Sequence, residues 1–320
     1  MTLKKIGFLA ILSLLTLFTP RSYSQTEIPA FDFLRVDPSA RASSLGGAFD
    51  TYTDDPNAIF YNPATLSAAS SKMLSAGFGK YLLDINFGTL AYSQKYKDIG
   101  WFGVGVKYFN YGKFDYTDEN ANPTGGSFSS NDLMFSVAYS NYVYEKINYG
   151  VTLKYIYSNI ATYKSTAFAM DFGFLYLIPS QGAAISFSVN NLGQQMTRYI
   201  DTRERLPLDV RFGFSKALEH TPVKVSVSFA RLNESQDKLI QHLKAFSIGG
   251  EFTFGEAVLA RIGYDNQTRQ DSELGTTLGL AGFSGGVGLR FAGKYMVDYS
   301  YNSIGKIGST HRFNVGYAFK

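Results

Sequence analysis

The chain has 320 residues, with charged residues at only 18 %, aromatics at 16 %, 31 glycines and no cysteine. Without cysteine there is no disulfide scaffold, no thiol chemistry and no lipid-modified N-terminal cysteine. The formal charge of +4 falls to about +1 once residues 1–24 are set aside, because they carry Lys4, Lys5 and Arg21 and no acid; a nucleic-acid partner would need a basic surface that this chain lacks.

Residues 1–24 read as a signal peptide. Lys4 and Lys5 form a basic end, Ile6 to Phe18 an apolar run, and Ser22-Tyr23-Ser24 a small-x-small cleavage site before Gln25. The run is short for a bilayer span, and no other apolar helical stretch follows. A mean hydropathy of −0.08 excludes a polytopic helical membrane protein but not a barrel, in which only alternate residues meet lipid.

Residues 25–71 are the least strand-like part, and we expect them to form an N-terminal plug or hatch. Gly46 and Gly47 permit close backbone approach or positive φ, and Asn62-Pro63 can open a helical turn with Asn as cap and Pro first. Arg41, Asp50, Asp54 and Asp55 are its charges. The plainer alternative is a surface loop ahead of a β-domain.

From residue 72 to 320 the pattern alternates. Val223, Val225, Val227 and Phe229 are interleaved with Lys224, Ser226 and Ser228; Phe313, Val315, Tyr317 and Phe319 with Arg312, Asn314, Gly316 and Ala318. A period of two places each set on its own face of a sheet. About fourteen such strands can be counted, among them 100–109 and 131–141. Long polar connections at 110–130, 191–207, 233–243 and 265–279 alternate with short turns at Val143–Lys146, Ile178–Gly182, Leu218–Pro222, Gly255–Ala257 and Ala292–Lys294. That rhythm predicts an all-β, transmembrane antiparallel barrel of about 14 strands, with long loops outside and tight turns in the periplasm.

The inward set includes Lys107, Lys154, Asp171, Arg211, Lys224, Glu251, Arg261, Arg290, Asp298 and Arg312. Ionisable groups at membrane depth need a wet or filled interior, and the mixed signs suggest pairing with one another or with the plug. These faces read as mostly small or charged, with little room for a greasy path, although Trp101 and Phe109 are candidates to line one.

Catalytic and metal signals are weak. Gly282-Phe283-Ser284-Gly285-Gly286 matches GxSxG, but a nucleophile elbow needs a strand-turn-helix context and no helix is expected after it. His220, His242 and His311 lack metal-ligand spacing, and the run Asp115–Asn122 lacks the spacing of a calcium loop. No enzyme activity and no cofactor or metal is expected. The loop from Arg198 through Tyr199, Asp201, Arg203, Glu204 and Arg205 combines charge with an aromatic, as partner-binding surfaces do; a loop held by its own Arg–carboxylate pairs is the alternative.

The Ala-Arg, Leu-Gly-Gly-Ala, Asp-Asp-Pro and Asn-Pro-Ala elements of the plug resemble the start of the PorV/PorQ family, relatives of the FadL-type channels. Asp84 to Gly88, Tyr108 to Asp115, Asn191 to Gly193, Asp201 to Pro207 and Ala281 to Ser284 extend the resemblance in order along the chain. The resemblance implies a fourteen-stranded barrel embedded in outer-membrane lipid. It also implies a scaffold role in type IX protein secretion, where such a barrel works with PorV, the sortase PorU and the surface protein PorZ to attach cargo. The alternative is a FadL-like transporter of hydrophobic compounds. One departure is terminal: such barrels usually end on an aromatic residue, whereas Phe319 is followed by Lys320.

Overall fold

The computed structural model describes residues 31–69, 72–234, 243–272 and 279–319. The expected signal peptide, His242 and Lys320 lie outside the described residues.

Among the described residues, fourteen strands form one sheet. They are β1 (Lys72–Lys80), β2 (Asn86–Tyr96), β3 (Gly100–Thr117), β4 (Pro123–Tyr144), β5 (Ile147–Ile160), β6 (Tyr163–Ile178) and β7 (Ala183–Thr197). The second half comprises β8 (Asp209–Ala217), β9 (Val223–Phe229), β10 (Phe246–Phe254), β11 (Val258–Asp265), β12 (Phe283–Phe291), β13 (Tyr295–Ser303) and β14 (Ser309–Phe319). Each pairs antiparallel with its sequence neighbours, and β1 closes on β14 from Lys72 opposite Phe319 to Lys80 opposite His311. Closure leaves no free sheet edge, the condition for strands to cross hydrocarbon. Among the described residues no helix is long and apolar enough to cross a membrane.

The two-residue comb decides what faces lipid. On β14, Phe313 and Val315 are exposed while Arg312 and Asn314 are buried in the lumen. Phe78, Leu90, Leu153, Phe168, Ile262 and Val287 continue the outer apolar band. Near the short-turn end Phe291 stacks on Tyr295 at 5.2 Å and Tyr295 meets Tyr317 at a tilt at 5.1 Å, as part of an aromatic girdle.

Three connections differ from expectation. Residues 110–130 are not a long loop: β3 and β4 run on to a turn at 118–122, where the Asp118 carboxylate accepts from the Asn120 and Asn122 backbone N–H groups, both at 2.9 Å. The extension is held by cross-strand pairing of Phe114 with Phe128, beyond the band where hydropathy marks a strand. Likewise β7 runs to Thr197, so the polar connection spans 198–208, and the connection after β11 contains a short helix, α2 (Asn266–Asp271), numbered after α1 of the plug (Ala40–Ser44).

The lumen is filled by residues 31–69, and wall glycines make the room. A Cβ on Gly150 would sit 2.5 Å from the Pro63 carbonyl carbon and one on Gly249 2.8 Å from the Leu45 Cβ. A Cβ on Gly173 would overlap Asn62 Oδ1, and one on Gly263 the Gly46 nitrogen. Gly285 faces outward, its nearest neighbour an Arg261 carbonyl at 3.7 Å. Gly173→Ala and Gly263→Ala should therefore each lose about 1–3 kcal/mol by overpacking and expose the plug to protease, with Gly285→Ala close to wild type. Denaturant unfolding in detergent and limited proteolysis would check this.

Candidate functional site

The plug is short turns held by side chains. Ser39 Oγ accepts from Ala42 N at the start of α1, Asp55 accepts from Asn57 N ahead of the 3₁₀ turn Pro56–Phe60, and Asn62 accepts from Ala64 N ahead of Pro63–Ala68. After α1 the chain reverses through Gly46 (φ 65°) and Gly47 (φ 83°), which also brings Gly46 against the backbone of Tyr264. Asn62 Nδ2 donates 3.2 Å bonds to the Asp50 carbonyl within the plug and the Phe174 carbonyl in the wall.

The plug charges meet the wall in pairs. Arg41 grips Glu251 with two parallel bonds of 2.8 Å, and Glu251 also accepts from Arg261 at 2.7 Å, which in turn holds Asp298 at 2.6 Å. Asp54 bridges Arg41 (3.1 Å) and Arg290 (2.9 Å), but its side chain stays 46 % exposed, so these pairs are worth less than the buried fork. Asp50 lies 3.1 Å from Arg211 and accepts from Ser228 at 2.6 Å. Asp55 departs from the expected wall pairing: its carboxylate bonds Asn57 of its own turn. Burial lifts the Asp55 carboxyl to about 6 against the opposing pull of Arg41. Burial acts on Asp54 in the same direction, but the attraction of Arg41, Arg290 and Lys224 outweighs it and holds that carboxyl below its usual range.

The remaining inward charges are also engaged. Lys154 pairs with Asp171 at 2.6 Å; Arg312 donates to the Asp37 carbonyl at 2.9 Å; Lys224 lies 3.8 Å over the Tyr52 ring. Lys107 donates to the Val36 and Leu34 carbonyls at 2.5 and 3.3 Å. Ser284, the would-be nucleophile, donates to the Ser44 carbonyl of the plug at 3.2 Å and sits on β12 with strand, not helix, after it. His220 occupies a turn and His311 shares a 2.8 Å bond with Tyr299 on β13. Among the described residues no group of three or more His, Cys, Asp or Glu is placed to hold a metal.

The largest departure from the sequence reading lies at the outer end. The inward face of β2–β6 is not only small and charged: Phe87, Phe109, Met134, Ile156, Ala167 and Ala169 form one apolar cluster with Phe31 and Phe33 of the plug. Phe109 stacks on Phe87 at 4.8 Å and meets Phe33 at 5.6 Å. Trp101 is elsewhere, packed with Ile59, Leu66 and Ala138 toward the short-turn end. The signal for the cluster was parity, since Phe109 is two residues from the inward Lys107 and Ile156 two from the inward Lys154.

Above this cluster opens a cavity of about 490 Å³, floored by Phe31 and Phe33, walled by Tyr111, Asp132 and Ser158, and rimmed by Tyr163 and Ile200, which are 50 % and 69 % exposed. The charged loop takes part in it. Tyr199 turns inward to stack on Phe31 at 6.1 Å, and Glu204 lines the cavity, while Arg198, Asp201, Arg203 and Arg205 stay exposed. Arg198 donates to the Asp201 carbonyl at 2.6 Å, so the loop is partly self-held. Phe128 lies on the same face of β4 as Ser130 and Asp132, and one extra residue on β3 turns Phe114 to that face too; with Tyr116 they form an aromatic lip, ring centres 5.3 and 5.1 Å from Phe128. A second cavity of about 320 Å³ on the other side of the plug is polar, with Arg35, Arg211, Arg231 and Arg312 balanced by Asp37, Asp209, Asp265 and Asp271.

A closed, plugged antiparallel barrel with an apolar outer band is an outer-membrane-type β-barrel. More particularly, its architecture is FadL-like. The toluene transporter TbuX of Ralstonia pickettii matches with a TM-score of 0.60 at 13 % identity, over 87 % of this chain and 97 % of that one. The toluene transporter TodX of Pseudomonas putida matches at 0.57 and 12 %, over 86 % and 95 %. A Pseudomonas aeruginosa FadL homologue matches at 0.57 and 10 %, over 88 % and 98 %. At such identities the likeness is one of fold. No family model and no curated protein matches the sequence.

Two outcomes are expected of the plug contacts. Glu251→Gln, which leaves two buried guanidinium groups without their shared carboxylate, should cost about 3–5 kcal/mol, and Asp54→Asn about 1 kcal/mol or less, by denaturant unfolding in detergent. Asp55 has a folded value above that of the unfolded chain, so its protonation favours the fold and the benefit is lost as pH rises from about 4 to about 6. Asp55→Asn keeps an acceptor for Asn57 N, and should match wild type at pH 4 yet be the more stable at pH 8.

Proposed function

We propose that this protein binds small hydrophobic compounds at its outer mouth and passes them into the outer membrane or across it. The observation that carries this is the aromatic cavity of about 490 Å³ at the plug–wall junction. Its size falls within the roughly 300–1,000 Å³ of small-molecule sites, and the lip of Phe114, Tyr116 and Phe128 leads an apolar solute toward it. The architecture supports the same reading, because the fold is shared with proteins described as toluene transporters and a monoaromatic hydrocarbon channel. Below the cavity the plug is packed on wall glycines and ion pairs, so passage requires local displacement of residues 31–37 and not an open pore.

A second reading, a scaffold for surface attachment in type IX secretion, draws on the ordered motif resemblance to the PorV/PorQ family. It also draws on the β3–β4 hairpin, whose paired extension offers a stiff docking post, and on the exposed Arg198, Arg203 and Arg205 beside it. PorV, PorU and PorZ are the partners that resemblance implies.

The readings separate in one pair of measurements. Equilibrium binding of a toluene-sized aromatic to nanodisc-embedded protein should be saturable and about tenfold weaker in Phe33→Ala, a loss of about 1.4 kcal/mol. Absence of saturable binding, together with partner proteins recovered from the native membrane by wild type and lost when 113–128 is trimmed to a short turn, would transfer the conclusion to the scaffold.

A further inference from the structure

Resting on the hydrophobic-compound reading, we infer that the mouth cavity selects amphiphiles whose polar end donates hydrogen bonds, an aryl-alkyl ammonium above all, and rejects carboxylates such as fatty acids. The rings supply an apolar body site, while the polar groups at its wall are acceptors. Asp132 is buried and ionisable, and its carboxylate already accepts from Tyr111, at 2.6 Å, and from Ser158. A carboxylate has about four acceptor positions, so capacity remains for a ligand donor. Glu204 adds a second carboxylate from the loop, and Asp32, which is paired at 3.8 Å with Arg35, a third.

No lining residue among those described is basic, and residues 25–30, which precede Phe31, contain Glu27 and no Lys or Arg. Two cations lie close by: Arg35, held by Asp32 at 3.8 Å and Glu234 at 2.9 Å, and Lys107, 5.9 Å from the Phe33 centre and 5.7 Å from that of Phe109. The Lys107 ammonium is directed to the Val36 and Leu34 carbonyls, and neither cation lines the cavity. A ligand carboxylate would thus enter among like charges with no counter-ion in the lining, and would lose hydration without replacement. An ammonium gains the reverse: attraction to Asp132 and Glu204, and the faces of Tyr111, Tyr163 and Tyr199 around it. A neutral alcohol, with one donor and no charge, falls between.

The test is equilibrium binding at low salt of three matched probes, 4-phenylbutylamine, 4-phenyl-1-butanol and 4-phenylbutyrate, to the full chain in neutral-lipid nanodiscs, with empty discs as the partition control. The expected order is amine, alcohol, carboxylate, with at least tenfold between the ends. Asp132→Asn, which keeps an acceptor for Tyr111, and separately Glu204→Gln on the loop, should each narrow that interval at least threefold. Equal binding of all three, or a preference for the carboxylate, overturns the selectivity and leaves hydrophobic binding in place. Binding of none overturns both. An interval that persists unchanged in both variants also overturns the assignment to these carboxylates.

Discussion

The contact on which the plugged barrel most depends is the fork between Arg41 and Glu251. Glu251 lies on the lumen face of β10 with Arg261 beside it on β11, and both sit at a depth where the opposite face of the sheet is apolar. A carboxylate and a guanidinium can remain ionised there only if each finds hydrogen-bonding partners of opposite sign. The wall alone provides Glu251 and Asp298 for Arg261; the plug adds Arg41, which in turn recruits Asp54 and through it Arg290. Plug and wall thus satisfy one charge network that neither completes by itself, and the barrel interior becomes a packed core of polar contacts in place of a hydrophobic one.

Close packing does the rest of the plug's anchoring. Gly150, Gly173, Gly249 and Gly263 remove side chains from the wall where plug backbone passes, so short-range attraction and backbone-directed bonds such as Asn62 to Phe174 can act at full strength. The arrangement is lopsided. Around α1 the contacts are charged and close, whereas Phe31 and Phe33 meet the wall through rings and aliphatic groups, with the Lys107 bonds to the Leu34 and Val36 carbonyls and the Arg35–Glu234 pair beside them. Apolar contacts are less directional than ion pairs, and the end of the plug that carries them is the end that faces the cavity. The ring-packed start of the plug and its ion-paired centre are therefore different stretches of one segment.

The charged loop shows how chemistry and address can diverge. Its arginines remain in solvent, yet Tyr199 and Glu204 are drawn inward by stacking on Phe31 and by the bond from Glu204 N to Gln195. A stretch that resembles a partner-binding surface in composition thus contributes an aromatic wall and a carboxylate to the mouth cavity.

The sequence by itself determined the strand alternation, the number of strands, the sorting of short turns to one end and the polarity of the two faces, because a period of two is written in neighbouring residues and membrane burial makes it strict. It also carried the cap at Asn62, which acts within three residues. Tertiary structure decided which inward side chains meet. Phe33 and Phe109 are 76 positions apart and Arg41 and Glu251 are 210 apart, so no local pattern signals either contact. It decided too that polar residues 113–128 pair as a hairpin, since above the lipid band cross-strand contacts and an Asx turn, not hydropathy, hold strands together.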